Sequence, residues 1–561
     1  MDNELYRRET IFSLQGYNSL SFPKYNCSVY YKGTVNLLSH ETDSNEFINL
    51  LAGKFSSEDD EFLEYLITAV KETTGLFSLI ICKGDIYFIV SDIIRSHPVC
   101  YGFYNDSLFL TDNLHEFLKL TGPFPIDNDK LEEYISSGFV YGNGTIFKNI
   151  LAIQAGEIVT IKGVKVSSQR YFEFKPVSTQ AHFANFAEFT STLDKIFSSV
   201  FIRLIHQNPK VKRWIVPLSG GHDSRCIVNY LFRLGLKNVI CFSYGIPGNE
   251  QSRISKEVAE TLNFEWHFVE YTDQKWYKLH ESGLMDEFID YAFNGVSIPH
   301  FQDFLAIYEL KEKGILKEGD VIIPGHTFDF IAGSNLQQAD LKCINKRMAL
   351  TRTFQMHTRI NDYLSAPARN IENIYETSNV DPGHFQEYFN WQEKRAKFMV
   401  NSLRTYEFFN FESRLPFWDK ELVDFWLTIP DNERMERKIF FEAEKMGIIT
   451  DKLYLIPFYG KLDIASVNLL EKILKTILPG FVKTWILRIT GRQVKYNTGL
   501  NQIYALRAAS VKELLEPVED FPAQTIPYFK EFLSRFPFQV DYHLLTGLYT
   551  IRKQLQRNKV S

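Results

Sequence analysis

Short apolar runs closed by glycine or asparagine fill the first third of the chain. From about residue 185 such runs alternate with helical stripes. Phe77 to Ile81 and Ile86 to Val90 flank Cys-Lys-Gly-Asp and predict a hairpin. Val99 to Phe103 and Leu108 to Thr111 predict a second across Tyr-Asn-Asp-Ser. Helical spacing over 58–72 and 129–136 interrupts these strands, and Gly142, Gly144 and Gly156 punctuate a further strand pair. Later strands are predicted at 214–218, 239–243, 266–269 and 321–323. Ile227, Leu231 and Leu234 form a helical stripe that Gly235 stops; Ile254, Val258, Ala259 and Leu262 form the next. Strands alternating with helices imply a parallel sheet, whose ligands bind beyond the carboxyl ends of the strands. The expected fold is therefore multidomain, α/β joined to α+β.

One turn stands out. Ile215, Val216 and Leu218 supply a buried strand, and Ser219-Gly220-Gly221-His222-Asp223-Ser224 follows it directly into the helix. Two glycines let the backbone approach an anion with no Cβ in the way, while the helix dipole and free N–H groups face a phosphate. Ser219, Asp223 and Ser224 add polar groups that a purely structural turn does not need. No Lys-Ser/Thr pair follows the glycines, so this is not a Walker loop.

At 561 residues the chain is long enough for two to four domains. Its 48 Phe and 29 Tyr favour solid cores. A net charge of −6 gives no reason to expect nucleic acid as a partner. The six cysteines are scattered without a CxxC pair, which argues against a zinc site or a disulfide framework and fits a reducing compartment. The N-terminus lacks the apolar core of a signal peptide, and no uninterrupted apolar stretch approaches membrane-spanning length. A cytoplasmic protein is the expectation. The segment from Leu469 to Leu487 carries Lys472, Lys475 and Lys483 among apolar residues; core-packing helices are favoured there over a membrane-surface pair.

The Ser-Gly-Gly-x-Asp-Ser turn resembles the pyrophosphate loop of the ATP pyrophosphatases, a group that includes asparagine, β-lactam, GMP and NAD synthetases. Two further motifs are similar to the asparagine synthetase branch in order and spacing. Val321-Ile-Ile-Pro-Gly-His-Thr-Phe-Asp329 resembles that family's second phosphate loop, and Phe411-Glu-Ser-Arg-Leu-Pro-Phe-Trp-Asp419 its Glu-Ala-Arg-x-Pro-Phe-Leu-Asp segment. The resemblance implies an N-terminal Ntn-hydrolase-like β-sandwich of class II glutamine-amidotransferase type over residues 1–178. An ATP-pyrophosphatase (adenine nucleotide alpha hydrolase-like) domain would follow over 185–460, then a helical extension over 461–561.

It further implies ATP and Mg²⁺, with Leu218, Ser219, Gly220, Gly221, Asp223, Ser224, Tyr244 and Gly325 around the nucleotide and Asp223 and Asp329 on the metal. Glu412 maps onto an active-site glutamate, with Arg414 and Asp419 as an ion pair around it. Lys461 stands where the family carries a lysine that contacts the α-phosphate, although a solvent-exposed lysine is an equal reading. The implied reaction joins a small-molecule carboxylate to ammonia or an amine, with AMP and pyrophosphate as products. Aspartate is the default acid. A sugar uronate in surface-polysaccharide assembly, a β-lactam-type ring closure and a non-catalytic nucleotide-binding scaffold are the alternatives. A homodimer fits the family.

Three departures matter. Residue 2 is Asp where glutamine-using relatives expose a cysteine, and the Asn-Gly-Glu turn survives only as Lys32-Gly33-Thr34. Glutamine hydrolysis is therefore not expected, and nitrogen would come as free ammonia, from an amine or from a separate glutaminase. His326 replaces the family's Glu; it is either the proton acceptor for the amine or a hydrogen-bonding histidine. Arg225 adds a charge expected near phosphate or a substrate carboxylate.

Overall fold

The computed structural model describes residues 10–38, 43–122, 124–177, 180–358 and 365–459. Near the end of the chain it also describes 547, 549–551 and 553–554. Lys461 and the basic 469–487 segment lie outside the described residues.

Both early hairpins form. Phe77–Lys83 pairs with Ile86–Ser91 across Gly84-Asp85, and Cys100–Tyr104 with Ser107–Thr111. Asn105 and Asp106 take φ of 48° and 61° in the second turn, the left-handed pair that lets two strands reverse without splaying. The hairpins belong to different sheets. One sheet runs Lys165–Arg170, Glu157–Lys162, Ile86–Ser91, Phe77–Lys83, Cys27–Gly33, Asn18–Phe22; the other runs Ile11–Ser13, Ser107–Thr111, Cys100–Tyr104, Ile150–Ala152. Ile80, Ile89, Val159 and Ile161 of the first pack with Tyr101, Leu108 and Leu110 of the second. Their neighbours Leu79, Ile81, Phe88 and Val90 point the other way, into the main core. Burial on both faces is why these strands read as unbroken apolar runs. Beyond Gly142, Gly144 and Gly156 further strands form: Ile150–Ala152 joins Cys100–Tyr104, and Glu157–Lys162 pairs with Lys165–Arg170.

The later part carries a five-stranded parallel sheet in the order Glu265–Glu270, Val239–Gly245, Arg213–Pro217, Asp320–Ile322, Glu412–Ser413. The first three strands are laid down in one direction and the last two in the other. The reversal falls between Arg213–Pro217 and Asp320–Ile322, which makes their carboxyl ends the switch point where doubly wound sheets bind ligands. Helices His222–Arg233 and Glu250–Thr261 cover the sheet through Ile227, Leu231, Ile254 and Val258, all fully buried. Mixed α/β architecture with a parallel sheet is thus present.

Candidate active site

Strand Arg213–Pro217 ends at the switch point and the chain turns through Ser219, Gly220 and Gly221 into helix His222–Arg233. Leu218 is 1% exposed; its side chain belongs to the core, and its N–H donates to Phe242 O (2.8 Å). The two serines brace the turn. Ser219 N–H donates to Ser224 Oγ (3.0 Å), and Gly221 N–H to Ser219 Oγ (3.2 Å). Gly221 is the N-cap and offers no side chain, so the first N–H groups of the helix remain for an anion. A Cβ on Gly220 would lie 3.0 Å from Tyr459 Cβ, and Tyr459 N–H donates to Gly220 O (2.8 Å). The 453–459 segment therefore seats directly on the glycine turn.

The second loop, after Asp320–Ile322, packs on the first. A Cβ on Gly325 would lie 3.2 Å from Ser224 N and 3.4 Å from Asp223 Cβ. Asp329, on the short helix Phe328–Ile331, donates its N–H to Asp223 Oδ2 (3.0 Å) and accepts from Ser334 Oγ (2.9 Å). Burial, and then the Asp329 carboxylate, push the Asp223 carboxyl far above the usual carboxylate range, against a weaker pull from Arg437. Two carboxylates held this close call for a cation between them. Among the described residues no cluster of three or more metal-binding side chains forms. A Mg²⁺ here would fit as that ion usually does, on one or two carboxylates with phosphate oxygens and water completing its shell.

His326 leaves the second loop half-buried, with Nε2 2.8 Å from Ser402 Oγ. The Ser402 hydroxyl gives its only proton to Met399 O (2.7 Å), so it accepts from His326. That fixes the imidazole with its proton on Nε2 and its lone pair on Nδ1. Burial lowers its pKa from the ordinary value, Arg395 adds to this, and Asp303 and Asp329 oppose it. The ring is neutral near pH 7.

Val239–Gly245 continues three residues past Phe242, the register partner of Pro217, so Ser243, Tyr244 and Gly245 overhang beside the glycine turn. Tyr244 itself is committed elsewhere: its ring stacks on Tyr271 (4.8 Å, 11°) and its hydroxyl bonds Asp303. What this strand can offer a nucleotide is its backbone edge.

Three expectations fail. Glu412 is not brought to the loops. It pairs in register with Val321, which lies opposite Trp214 near the start of its strand, and its carboxylate is 71% exposed against Arg414 (2.7 Å). Arg414 in turn donates to Asn208 (2.8 Å), in the connection that enters the amino end of Arg213–Pro217. Asp419 does not pair with Arg414; it caps helix Lys420–Leu427 and binds Arg203 through contacts of 2.9 and 3.2 Å. Arg225 faces no ligand. It is fully buried, donates to the carbonyls of Leu453 (3.0 Å), Ile456 (2.7 Å) and Pro457 (2.7 Å), and stacks on Phe458 (3.8 Å). Its helical phase turns it inward, where it holds the segment that presses on Gly220.

Two residues escaped the sequence reading. His222 is clamped by Glu444 (2.8 Å) and stacked on Phe458 (4.1 Å). Arg395 lies in the field of both carboxylates. His222 fills the variable position of the glycine turn, and Arg395 sits in Glu-Lys-Arg-Ala-Lys, which reads as a solvated charge run.

Fold and loops together define a doubly wound α/β domain with a glycine turn and a carboxylate pair at its switch point. Residues 215–446 match the family model described as asparagine synthase. Over 213 residues the chain is 26% identical to asparagine synthetase [glutamine-hydrolyzing] 1 of Bacillus subtilis (strain 168). That match takes in 36% of this chain and about a third (32%) of the relative's length. The parallel-sheet part of the chain is thus similar to the asparagine synthase family.

Solved structures with partial likeness include a glutamine phosphoribosylpyrophosphate amidotransferase from B. subtilis complexed with ADP and GMP. It is 12% identical, over 46% of this chain and 73% of that one, with a TM-score of 0.19. Another is an NMN synthetase from Francisella tularensis, 13% identical, over 39% and 94%, with a TM-score of 0.19. At these scores neither bears on the chemistry of the site.

Proposed function

We propose that the chain is an ATP-dependent, AMP-forming amide ligase of asparagine synthetase type, built over an N-terminal Ntn-hydrolase-like domain that does not supply the nitrogen. One observation carries this reading: the two loops pack at the switch point so that Asp329 N–H meets Asp223 Oδ2 (3.0 Å) beside an uncapped glycine turn. Gly220 and the uncapped first turn of helix His222–Arg233 cradle the departing phosphates through backbone N–H groups, with Ser219 and Ser224 bracing the turn. Asp223 and Asp329 hold Mg²⁺, which would neutralise pyrophosphate as it leaves. The overhanging backbone at Ser243–Gly245 receives the adenine. The substrate carboxylate attacks the α-phosphate, and the resulting acyl-adenylate is open to an amine. His326 Nδ1 takes the proton that the amine must lose, since its ring is neutral and Ser402 occupies Nε2.

The nitrogen source follows from the N-terminal part. Burial pushes the thiol of Cys27 up to about 12, against Lys83, so it stays protonated near neutral pH. Ammonia or an amine therefore enters from outside. Aspartate is the default acid, and a sugar uronate is the principal alternative. Pyrophosphate release from ATP across a panel of carboxylic acids, with ammonia and simple amines, tests the proposal. Release that depends on one acid is the expected result. Tight ATP binding with no release for any acid would make the protein a nucleotide-binding scaffold.

A further inference from the structure

The π-helix Asn390–Met399 lies between the β-rich part and the two loops. Its sequence is polar, yet Gln392, Glu393, Arg395 and Lys397 are all buried. Wide π turns recur at functional sites because they re-aim side chains that an α-helix would spread evenly. One side of this turn is bound to the β-rich part. Trp391 Nε1 donates to Ile93 O (3.0 Å), Gly142 N–H donates to Glu393 (3.0 Å), and Lys397 Nζ donates to Val140 O (2.9 Å) and Gly142 O (2.6 Å).

Arg395 turns the other way. It is 8% exposed, its Nε donates to Asn390 Oδ1 (3.3 Å), and its guanidinium lies over the Phe330 ring (4.9 Å), next in sequence to Asp329. Asp329 and Asp223 both act on its charge, but among the described residues it forms no ion pair. Arg434, more deeply buried still, shows the usual arrangement, with two bonds to Glu387 (2.7 and 2.6 Å). A buried guanidinium keeps its proton, and a buried charge without a partner is costly. The described residues supply no paired anion for it, which leaves the place open to one carried by a ligand. A bare carboxylate brought here would meet two carboxylates already in place. Magnesium pyrophosphate brings a cation for those two and keeps surplus negative charge for an arginine.

The geometry points to Arg395 as a pyrophosphate-binding residue, mounted by the N-terminal domain through the π turn. The inference rests on reading the two loops as a pyrophosphate site. It also gives the nucleophile-free domain a task, since that domain holds the turn from behind. Magnesium pyrophosphate titrated calorimetrically into the full chain tests it, in the wild type, Arg395→Gln and Arg395→Lys, with KM for MgATP and for the acid measured alongside. Binding weakened about tenfold in Arg395→Gln and less in Arg395→Lys, with the acid KM unchanged, is expected from loss of a bidentate contact. Unchanged pyrophosphate affinity in Arg395→Gln, a shift confined to the acid, or no binding to the wild type would overturn the assignment. Should Arg395→Gln fail to fold, Arg395→Lys decides: a loss of about threefold supports it and no loss overturns it. Arg395-dependent binding without pyrophosphate release from ATP would sink the ligase reading and leave this assignment standing.

Discussion

The switch point and the N-terminal ground around Lys32-Gly33-Thr34 treat polar groups in opposite ways. At the switch point charges are left for a ligand: two neighbouring carboxylates, an uncapped helix start and a buried arginine without an ion pair among the described residues. Around Gly33 the charged and backbone groups are paired, while Asn36 Nδ2 and His97 Nδ1 stay buried without a hydrogen-bond partner among the described residues. Lys32 pairs with Asp112 (2.9 Å), Thr34 N–H donates to Leu76 O (2.8 Å), and Tyr31 OH to Asn45 (2.7 Å). Gly33 takes a left-handed φ of 82°, and a Cβ there would lie 2.0 Å from Leu76 O and 2.6 Å from the His97 ring. Polar groups paired at home stabilise a fold, and polar groups kept apart from partners hold binding capacity at a cost in stability. That contrast separates the part of the chain that retains chemistry from the part that serves as its mount.

Breaking the carboxylate pair should give the largest effect. Asp223→Asn should lower pyrophosphate formation by about 10²–10³-fold, the scale of losing one transition-state charge partner. Thermal unfolding should show Tm unchanged or raised, because repulsion between two half-buried carboxylates is relieved while Asn still accepts from Asp329 N–H. A large drop in Tm would make the pair structural and erase the contrast. His326→Gln should slow amide formation by about 10²-fold while pyrophosphate release holds, measured by following both products. The wild-type pH profile carries a sign. Burial lowers the imidazole pKa, so at constant free ammonia its protonation should cut the rate only below the ordinary imidazole range. An acid limb above 6.5 would contradict a buried neutral base.

Smaller effects probe the borders. In Gly220→Ala the added methyl meets Tyr459 Cβ at 3.0 Å and Ile254 at 3.4 Å. Crowding of this kind costs about 1–3 kcal/mol, and here should surface as a KM for MgATP raised about tenfold. Cys27→Ala should leave ammonia-dependent activity within about twofold and cost about 1 kcal/mol of stability from a small cavity. A larger fall in activity would return catalytic work to the N-terminal domain.

Strand and helix positions were legible because each apolar run ended at a residue with a backbone reason to turn, as at Gly84, Asn105 and Gly235. The glycine turn was legible because phosphate chemistry restricts which residues can stand there. Other features depend on phase and register, which a motif does not encode. Glu412 sits in a well-matched segment, but its strand pairs at Val321 and leaves it toward the amino ends of the strands, away from the loops. Arg225 is one helical step from pointing at phosphate and instead grips three carbonyls. Arg395 and Lys397 look like a solvated basic run until a π turn buries both and aims them in opposite directions.

The function proposed for this switch point turns on a carboxylate oxygen attacking the α-phosphate. Incubating the protein with ATP, magnesium and a panel of ¹⁸O-labelled carboxylic acids, with ammonia present, probes that step by mass analysis of the nucleotide. AMP carrying one ¹⁸O atom, equimolar with pyrophosphate, is expected for the acid that is the substrate. AMP without label, or ADP and labelled inorganic phosphate, would refute the attack.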